Sequence, residues 1–150
     1  MMFKTHIVFG FLMGLLFLDV FNVSNKILFM TVAVIAAAIP DIDHPDSAVG
    51  KKVKIIGFLF KHRGFFHSIL AAGIFSLGIN YIFRNYAITI AFVIGYVSHI
   101  LIDMLTHAGV MPLHPLSNFK IKGFMKSNGI IEWLIFLGLV VLSGLKLISM

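Results

Sequence analysis

The sequence predicts an all-α fold, a polytopic membrane helical bundle of about five apolar helices with two long loops, and three observations carry the prediction. The composition is 59% apolar and 12% charged with a mean hydropathy of +1.02, whereas soluble domains run nearer half apolar and a quarter charged. The apolar residues fall into five stretches that are too long for strands and lack strand-type alternation. The charged residues gather mainly in the breaks between those stretches. The length leaves room for a single membrane-embedded domain, residues 1–150.

The same numbers exclude other classes. Sixteen Phe and no Gly or Pro period rule out disorder and collagen-like repeats. The absence of Cys removes disulfides, thiolate metal sites and cysteine nucleophiles, so any metal must rest on His and carboxylates.

The first stretch, residues 5–21, follows Lys4 and imitates a signal peptide, but His6 interrupts it and no small-residue cleavage site follows promptly. It is expected to be a retained helix. The second, residues 27–39, ends at Pro40, which cannot continue a helix. Both fall short of the roughly 20 residues that cross a ~30 Å hydrocarbon core, so they are expected to tilt, thin the bilayer or pair as a re-entrant hairpin. The third, fourth and fifth, residues 65–83, 86–106 and 130–149, approach or exceed that length and are expected to span. Two long breaks remain, at residues 40–64 and 109–129, the second kept irregular by Pro112 and Pro115.

If all five helices cross, the amino terminus and both long loops share one side. That side holds nine Lys or Arg (Lys4, Lys51, Lys52, Lys54, Lys61, Arg63, Lys120, Lys122, Lys126) against three opposite (Lys26, Arg84, Lys146). The positive-inside rule then puts the long loops in the cytoplasm of a multi-pass membrane protein. The net charge of +6 is accounted for by this orientation at an anionic lipid face, and no nucleic-acid partner is expected.

The same topology segregates the chemistry. All seven His and five of the six acids fall at or near the Lys-rich side, with Asp19 alone towards the other. One polar pocket at one end of a bundle requires this. His99 and Asp103 are four apart on one helical face, and His107 continues the line. An Asp in a spanning segment costs about 2.5–3.5 kcal/mol on insertion scales unless paired, and a divalent cation is its strongest partner. A simple Asp–His hydrogen bond fits the pair alone equally well.

Pro40-Asp41-Ile42-Asp43-His44-Pro45 crowds three potential ligands between two prolines, although an Asp-rich turn that ends a helix also fits. His62-Arg63-Gly64 precedes the third stretch and His67 lies at its start. Arg63 is a forked donor suited to phosphate beside a permissive glycine, though taken alone it fits an interfacial Arg on lipid headgroups better. Glu132 opens the last helix, where a carboxylate also complements the helix dipole, and His6 opens the first.

In this order the motifs resemble the LexA-regulated, inner-membrane-associated metal-dependent hydrolases, the YdjM-like family. The matching pieces are Thr5-His6, the run from Ile39 to Pro45 with Ser47 and Gly50, and His62-Arg63-Gly64 through His67-Ser68. Gly95 through Thr106 with Gly109, and Gly129 through Glu132, complete them across nearly the whole chain. More distantly the chain is similar to the all-helical zinc phospholipase C and P1 nuclease group.

The resemblance implies a membrane-bound hydrolase that uses one or two divalent ions, zinc first; attack on a phosphoester or phosphoanhydride is the expected reaction, and a pocket opening at the lipid surface favours an amphiphilic substrate such as a phospholipid or polyprenyl phosphate. The resemblance makes His67, His99 and Asp103 the firmest ligands, with His6, Asp41, Asp43 and His44 as further candidates. His62 and Arg63 would steady developing charge, and Glu132 would act as base or orienting group. His107 and His114 match no motif. A metal-ion or proton transporter and a metal-pinned scaffold without catalysis are the rival readings.

Overall fold

Side-chain caps set where three of the apolar stretches become helical. The computed structural model describes residues 1–44 and 63–150, and its helices are α1 (Phe3–Val20), α2 (Lys26–Ala36), α3 (Ile69–Phe83), α4 (Tyr86–Met104) and α5 (Ile130–Ile148). Single 3-10 turns, Pro40–Asp43 and Phe65–His67, lie between α2 and α3, and the described residues contain no strand. Asn25 and Asn85 accept backbone N–H bonds at the starts of α2 and α4, satisfying donors that have no partner within the helix.

The all-helical fold agrees with the expectation, but the lengths differ in an instructive way. Ser68 accepts the Ala71 N–H at 3.1 Å and so fixes the start of α3 at Ile69, leaving Phe65–His67 as a separate turn. The third stretch therefore yields a helix of only 15 residues, about 22 Å long. Among the described residues, three helices are long and apolar enough to cross a membrane: Phe3–Val20, Tyr86–Met104 and Ile130–Ile148. The first stretch, expected to be marginal, qualifies, and the third, expected to span, does not.

The packing is that of a membrane bundle, with small residues where backbones meet. A Cβ added to Gly95 of α4 would collide with the Ala33 carbonyl of α2, and one added to Gly10 of α1 would collide with Ala37. These contacts wedge α2 between α1 and α4. Around them Ala36, Ala71, Phe92, Tyr96 and Ile100 form one buried cluster, and Leu15, Leu18, Phe29 and Ala91 form a second. α5 packs through Leu139 against Leu12 and Ile102, while Leu134, Leu137, Leu145 and Ile148 remain exposed as a lipid-facing side.

After α4 the chain doubles back on itself. Val110 and Ile121 exchange two backbone hydrogen bonds of 2.9 Å, and the Met125 N–H reaches the Leu105 carbonyl. This folded connection leads into α5 on the same end of the bundle as His6 and Asp103.

Candidate metal centre

Four elements deliver side chains to one buried cluster. α1 brings His6, the turn after α2 brings Asp41 and Asp43, the turn before α3 brings His67, and α4 brings His99 and Asp103. His6, His67, His99 and Asp103 are almost wholly inaccessible.

Two of the imidazoles, His99 and His67, have a second partner that fixes the proton. The Nδ1 of His99 lies 2.7 Å from the Ala37 carbonyl oxygen, and a carbonyl only accepts, so Nδ1 carries the hydrogen. That carbonyl lies just past α2, where helix geometry leaves carbonyl groups without helical partners, and the Gly95–Ala33 contact brings it within reach. The Nδ1 of His67 lies 3.3 Å from Asp43 Oδ2, again an acceptor. In their neutral forms both rings therefore turn an Nε2 lone pair inward, and these two atoms face each other at 3.2 Å. Two lone pairs at that distance repel unless a cation stands between them.

The carboxylates surround the same point. Asp103 Oδ2 is 3.6 Å from His67 Nε2 and 3.9 Å from His99 Nε2, and Asp41 Oδ1 is 3.7 Å from His99 Nε2. His6 stacks on His99 with ring centroids 3.7 Å apart, and its Nε2 lies 3.4 Å from Asp103 Oδ1 without hydrogen-bond geometry. Both ring nitrogens of His6 and the Oδ2 of Asp103 are buried without a hydrogen bond, a costly condition for polar atoms.

Donors on a tetrahedral zinc ion with arms of 2.0–2.1 Å lie about 3.3 Å from one another, close to these separations. Two groups of three, His6 with His99 and Asp103, and Asp41 with His67 and His99, could each hold a metal ion. The donor set, imidazole nitrogen and carboxylate oxygen, suits zinc and similar divalent ions.

The remaining predicted residues divide. Asp43 faces the outer nitrogen of His67 and accepts the Arg63 N–H at 3.1 Å, so it orients rather than converges. His44 ends its turn half-buried and joins neither group of three. Arg63, in the left-handed region at φ +62°, turns its guanidinium inward. It donates to Thr106 Oγ1 at 2.8 Å and to the Gly109 carbonyl at 3.2 Å, and it lies 3.4 Å from Asp103.

Glu132 is fully buried and accepts the Met2 N–H at 2.6 Å, the Thr5 hydroxyl at 3.2 Å and the Asn128 N–H at 2.5 Å. It therefore ties the start of α1, next to His6, to the start of α5. His107 lies beyond the end of α4, exposed and outside the cluster. His62 lies outside the described residues.

Three participants escaped the sequence reading: the Ala37 carbonyl, Thr106, and the Met1 amino nitrogen, which sits 3.5 Å from Asp103 Oδ1. Thr106 stands three residues beyond Asp103, and its spacing was the one available signal. A backbone carbonyl leaves no signal in a sequence.

A family described as YdjM inner membrane protein matches residues 1–148. The chain is 42% identical over 94 residues to "Inner membrane protein YdjM" of Escherichia coli (strain K12), covering 55% of this chain and 47% of that protein. The match to its namesake in Shigella flexneri is the same, so the chain spans about half the length of these two curated relatives. It is 30% identical over 128 residues to "Uncharacterized protein YvsG" of Bacillus subtilis (strain 168), covering 79% of this chain and 78% of that protein. No solved structure matches.

Proposed function

The chain belongs to the YdjM family of inner membrane proteins, and from that premise we propose that it is a membrane-bound metal-dependent hydrolase acting on a phosphoester or phosphoanhydride of an amphiphilic substrate at the cytoplasmic face. One observation carries the proposal: two buried imidazoles, each with its Nδ1 held by an acceptor, face each other at 3.2 Å beside a buried carboxylate. Such a set is built to receive a cation.

His67, His99 and Asp103 would hold the ion, with His6 and Asp41 completing one or two sites, and zinc is the ion best suited to them. When bound there, such an ion would supply a water acidified towards neutral pH and a Lewis acid for a phosphoryl oxygen.

The protein's own contribution is orientation. The Ala37 carbonyl and Asp43 fix the two imidazoles in the tautomer that exposes Nε2. Arg63 balances the charge of Asp103 while its backbone N–H steadies Asp43. With its side-chain donors on Asp103, Thr106 and Gly109, Arg63 is better suited to positioning this wall than to closing alone on a phosphate. Glu132 acts at a further remove by holding the turn that carries His6.

An amphiphilic substrate is supported by an apolar groove of about 400 Å³ between the end of α2, α3 and α4. It begins at Ile39, two residues before Asp41, and continues past Phe75 and Gly78 to Ile82. A hydrocarbon tail lying there would leave its polar head near the most accessible carboxylate of the cluster. The cytoplasmic orientation is supported by the sequence count of nine basic residues in the amino-terminal segment and the two long loops against three elsewhere.

The inward engagement of Arg63 and Glu132 also favours a second reading, a scaffold in which metal only pins the helices. Metal analysis of detergent-purified protein, beside Asp103→Ala and His67→Ala, tests the site, and a screen of lipid phosphates tests the chemistry. The hydrolase reading expects bound metal in the parent alone, and phosphate release that Arg63→Gln and Glu132→Gln abolish while both variants stay folded. Equal, negligible metal in all three samples removes the site. Metal without turnover leaves the scaffold.

A further inference from the structure

The connection between α4 and α5 carries a surface that the candidate site does not use. Its backbone is pinned: Val110 pairs with Ile121, the His107 N–H reaches the Met125 carbonyl, and the Gly123 N–H reaches the Thr106 carbonyl at 3.0 Å. With the backbone held, the side chains sort by face. Val110, Met111 and Met125 are buried, whereas Leu116, Phe119 and Phe124 are 81%, 63% and 67% exposed. Large apolar groups fixed outward, beyond the membrane-spanning helices, mark an interaction surface.

Lys120, Lys122 and Lys126 interleave with these groups, and residues 104–131 contain no Asp or Glu at all. An isologous contact with a second copy would set Lys122 and Lys126 against the same lysines of its partner. An anionic lipid surface complements both properties at once, taking the apolar tips below its headgroups and the lysines among them. The location agrees, because the connection joins the end of one spanning helix to the start of the next and so lies at the bilayer boundary.

We propose that residues 113–126 form an interfacial anchor that binds anionic phospholipid headgroups, with Leu116, Phe119 and Phe124 inserted as apolar prongs. This is more than the orienting role that basic loops play in general, because it requires insertion at defined residues and a preference for anionic lipid. It stands independently of the hydrolase reading. It has a structural consequence for the cluster, since the same segment supplies Thr106 and Gly109 to Arg63.

The absence of native Cys makes the test direct. The full chain carrying Phe119→Cys or Phe124→Cys is spin-labelled and placed in vesicles of phosphatidylcholine alone or mixed with phosphatidylglycerol. Leu137→Cys on the lipid-facing side of α5 serves as the reference for depth. Power saturation should place both loop labels roughly 5–10 Å below the headgroups in the mixed vesicles and nearer water in phosphatidylcholine. Lys122→Gln with Lys126→Gln should raise the labels towards water. Native mass spectrometry should show the enrichment of bound phosphatidylglycerol falling roughly fivefold per lysine removed. Labels inserted equally in both lipids would overturn the anionic preference, and with it the proposal. Labels exposed to water in both would assign the patch to a protein partner instead.

Discussion

The two ends of the bundle hold the same kinds of charge under opposite conditions. At the end away from the cluster, Lys146 of α5 reaches Asp19 of α1 at 2.7 Å, with the carboxylate more than half exposed. At the cluster end, His6, His67, His99 and Asp103 meet at 3.2–3.9 Å and see almost no solvent. The tighter contact matters less. Water already solvates Asp19 and Lys146, so their pairing gains little. Burial strips the cluster of hydration at a cost of several kcal/mol per ion, and contacts lacking hydrogen-bond geometry return only part of it. Separation alone therefore misranks these sites, and the unsatisfied buried atoms of His6 and Asp103 mark the end whose groups could hold a metal ion.

The sharpest way to break this contrast is to remove a carboxylate from each end. Asp103→Ala should leave His6 and Arg63 buried beside no counter-charge, and should lower stability by about 3–5 kcal/mol in thermal or denaturant unfolding. Bound metal, read by emission spectrometry, should fall to background in Asp103→Ala and His67→Ala. Treating the parent with a chelator should lower its Tm and leave the Tm of Asp103→Ala unchanged. Asp19→Ala should retain the parent's metal. Equal losses at both ends would mean that the cluster end is no more than another surface ion pair.

The next effect concerns how the cluster is held. Gly95→Leu forces a side chain into the Ala33 backbone, which cannot move without shifting Ala37 away from His99. The expected cost lies at the upper end of the ~1–3 kcal/mol overpacking range, together with loss of metal. Gly78→Leu is the control, because a Cβ there meets nothing within 4 Å, and it should leave both Tm and metal content unchanged.

Most of the fold was legible because membrane helices announce themselves by composition, and the site's address was legible because His and acids segregate along a hydrophobic chain. What remained hidden was local and geometric. Hydropathy treats Phe65-Phe66 as helix, whereas the Ser68 cap two residues later starts α3 and leaves those aromatics in a turn. An N-cap Ser before an apolar run was a readable signal for that boundary. The direction of Arg63 was not readable, since one guanidinium serves a phosphate or an internal carboxylate equally well and only the position of Thr106 in space decides. The distinction between Asp41 and Asp43 was likewise closed to sequence, because in this turn the first approaches Nε2 of His99 and the second approaches Nδ1 of His67.

Thr106 gives a smaller and more selective test. Its hydroxyl accepts from Arg63 and donates to the Asp103 carbonyl oxygen at 2.8 Å, joining the connection after α4 to the carboxylate that the cluster shares. Thr106→Val keeps the volume and removes the acceptor, so it should cost about 1–3 kcal/mol and weaken metal affinity roughly 10–100-fold. Thr106→Ser should restore much of both. Destabilisation with unchanged metal affinity would show that Arg63 braces the loop without governing Asp103.

The smallest expected effect closes the contrast from the other end. Asp19→Asn leaves Lys146 beside a neutral amide that can still accept a hydrogen bond, in a place where both groups are partly exposed. Unfolding of the variant should be indistinguishable from the parent at moderate salt, because ions screen exposed pairs within a Debye length. A measurable loss that persists in high salt would mean that the pair lies deep enough in the headgroup region to escape screening. The two ends would then differ in the number of charges they hold and in the way those charges are partnered, with burial common to both.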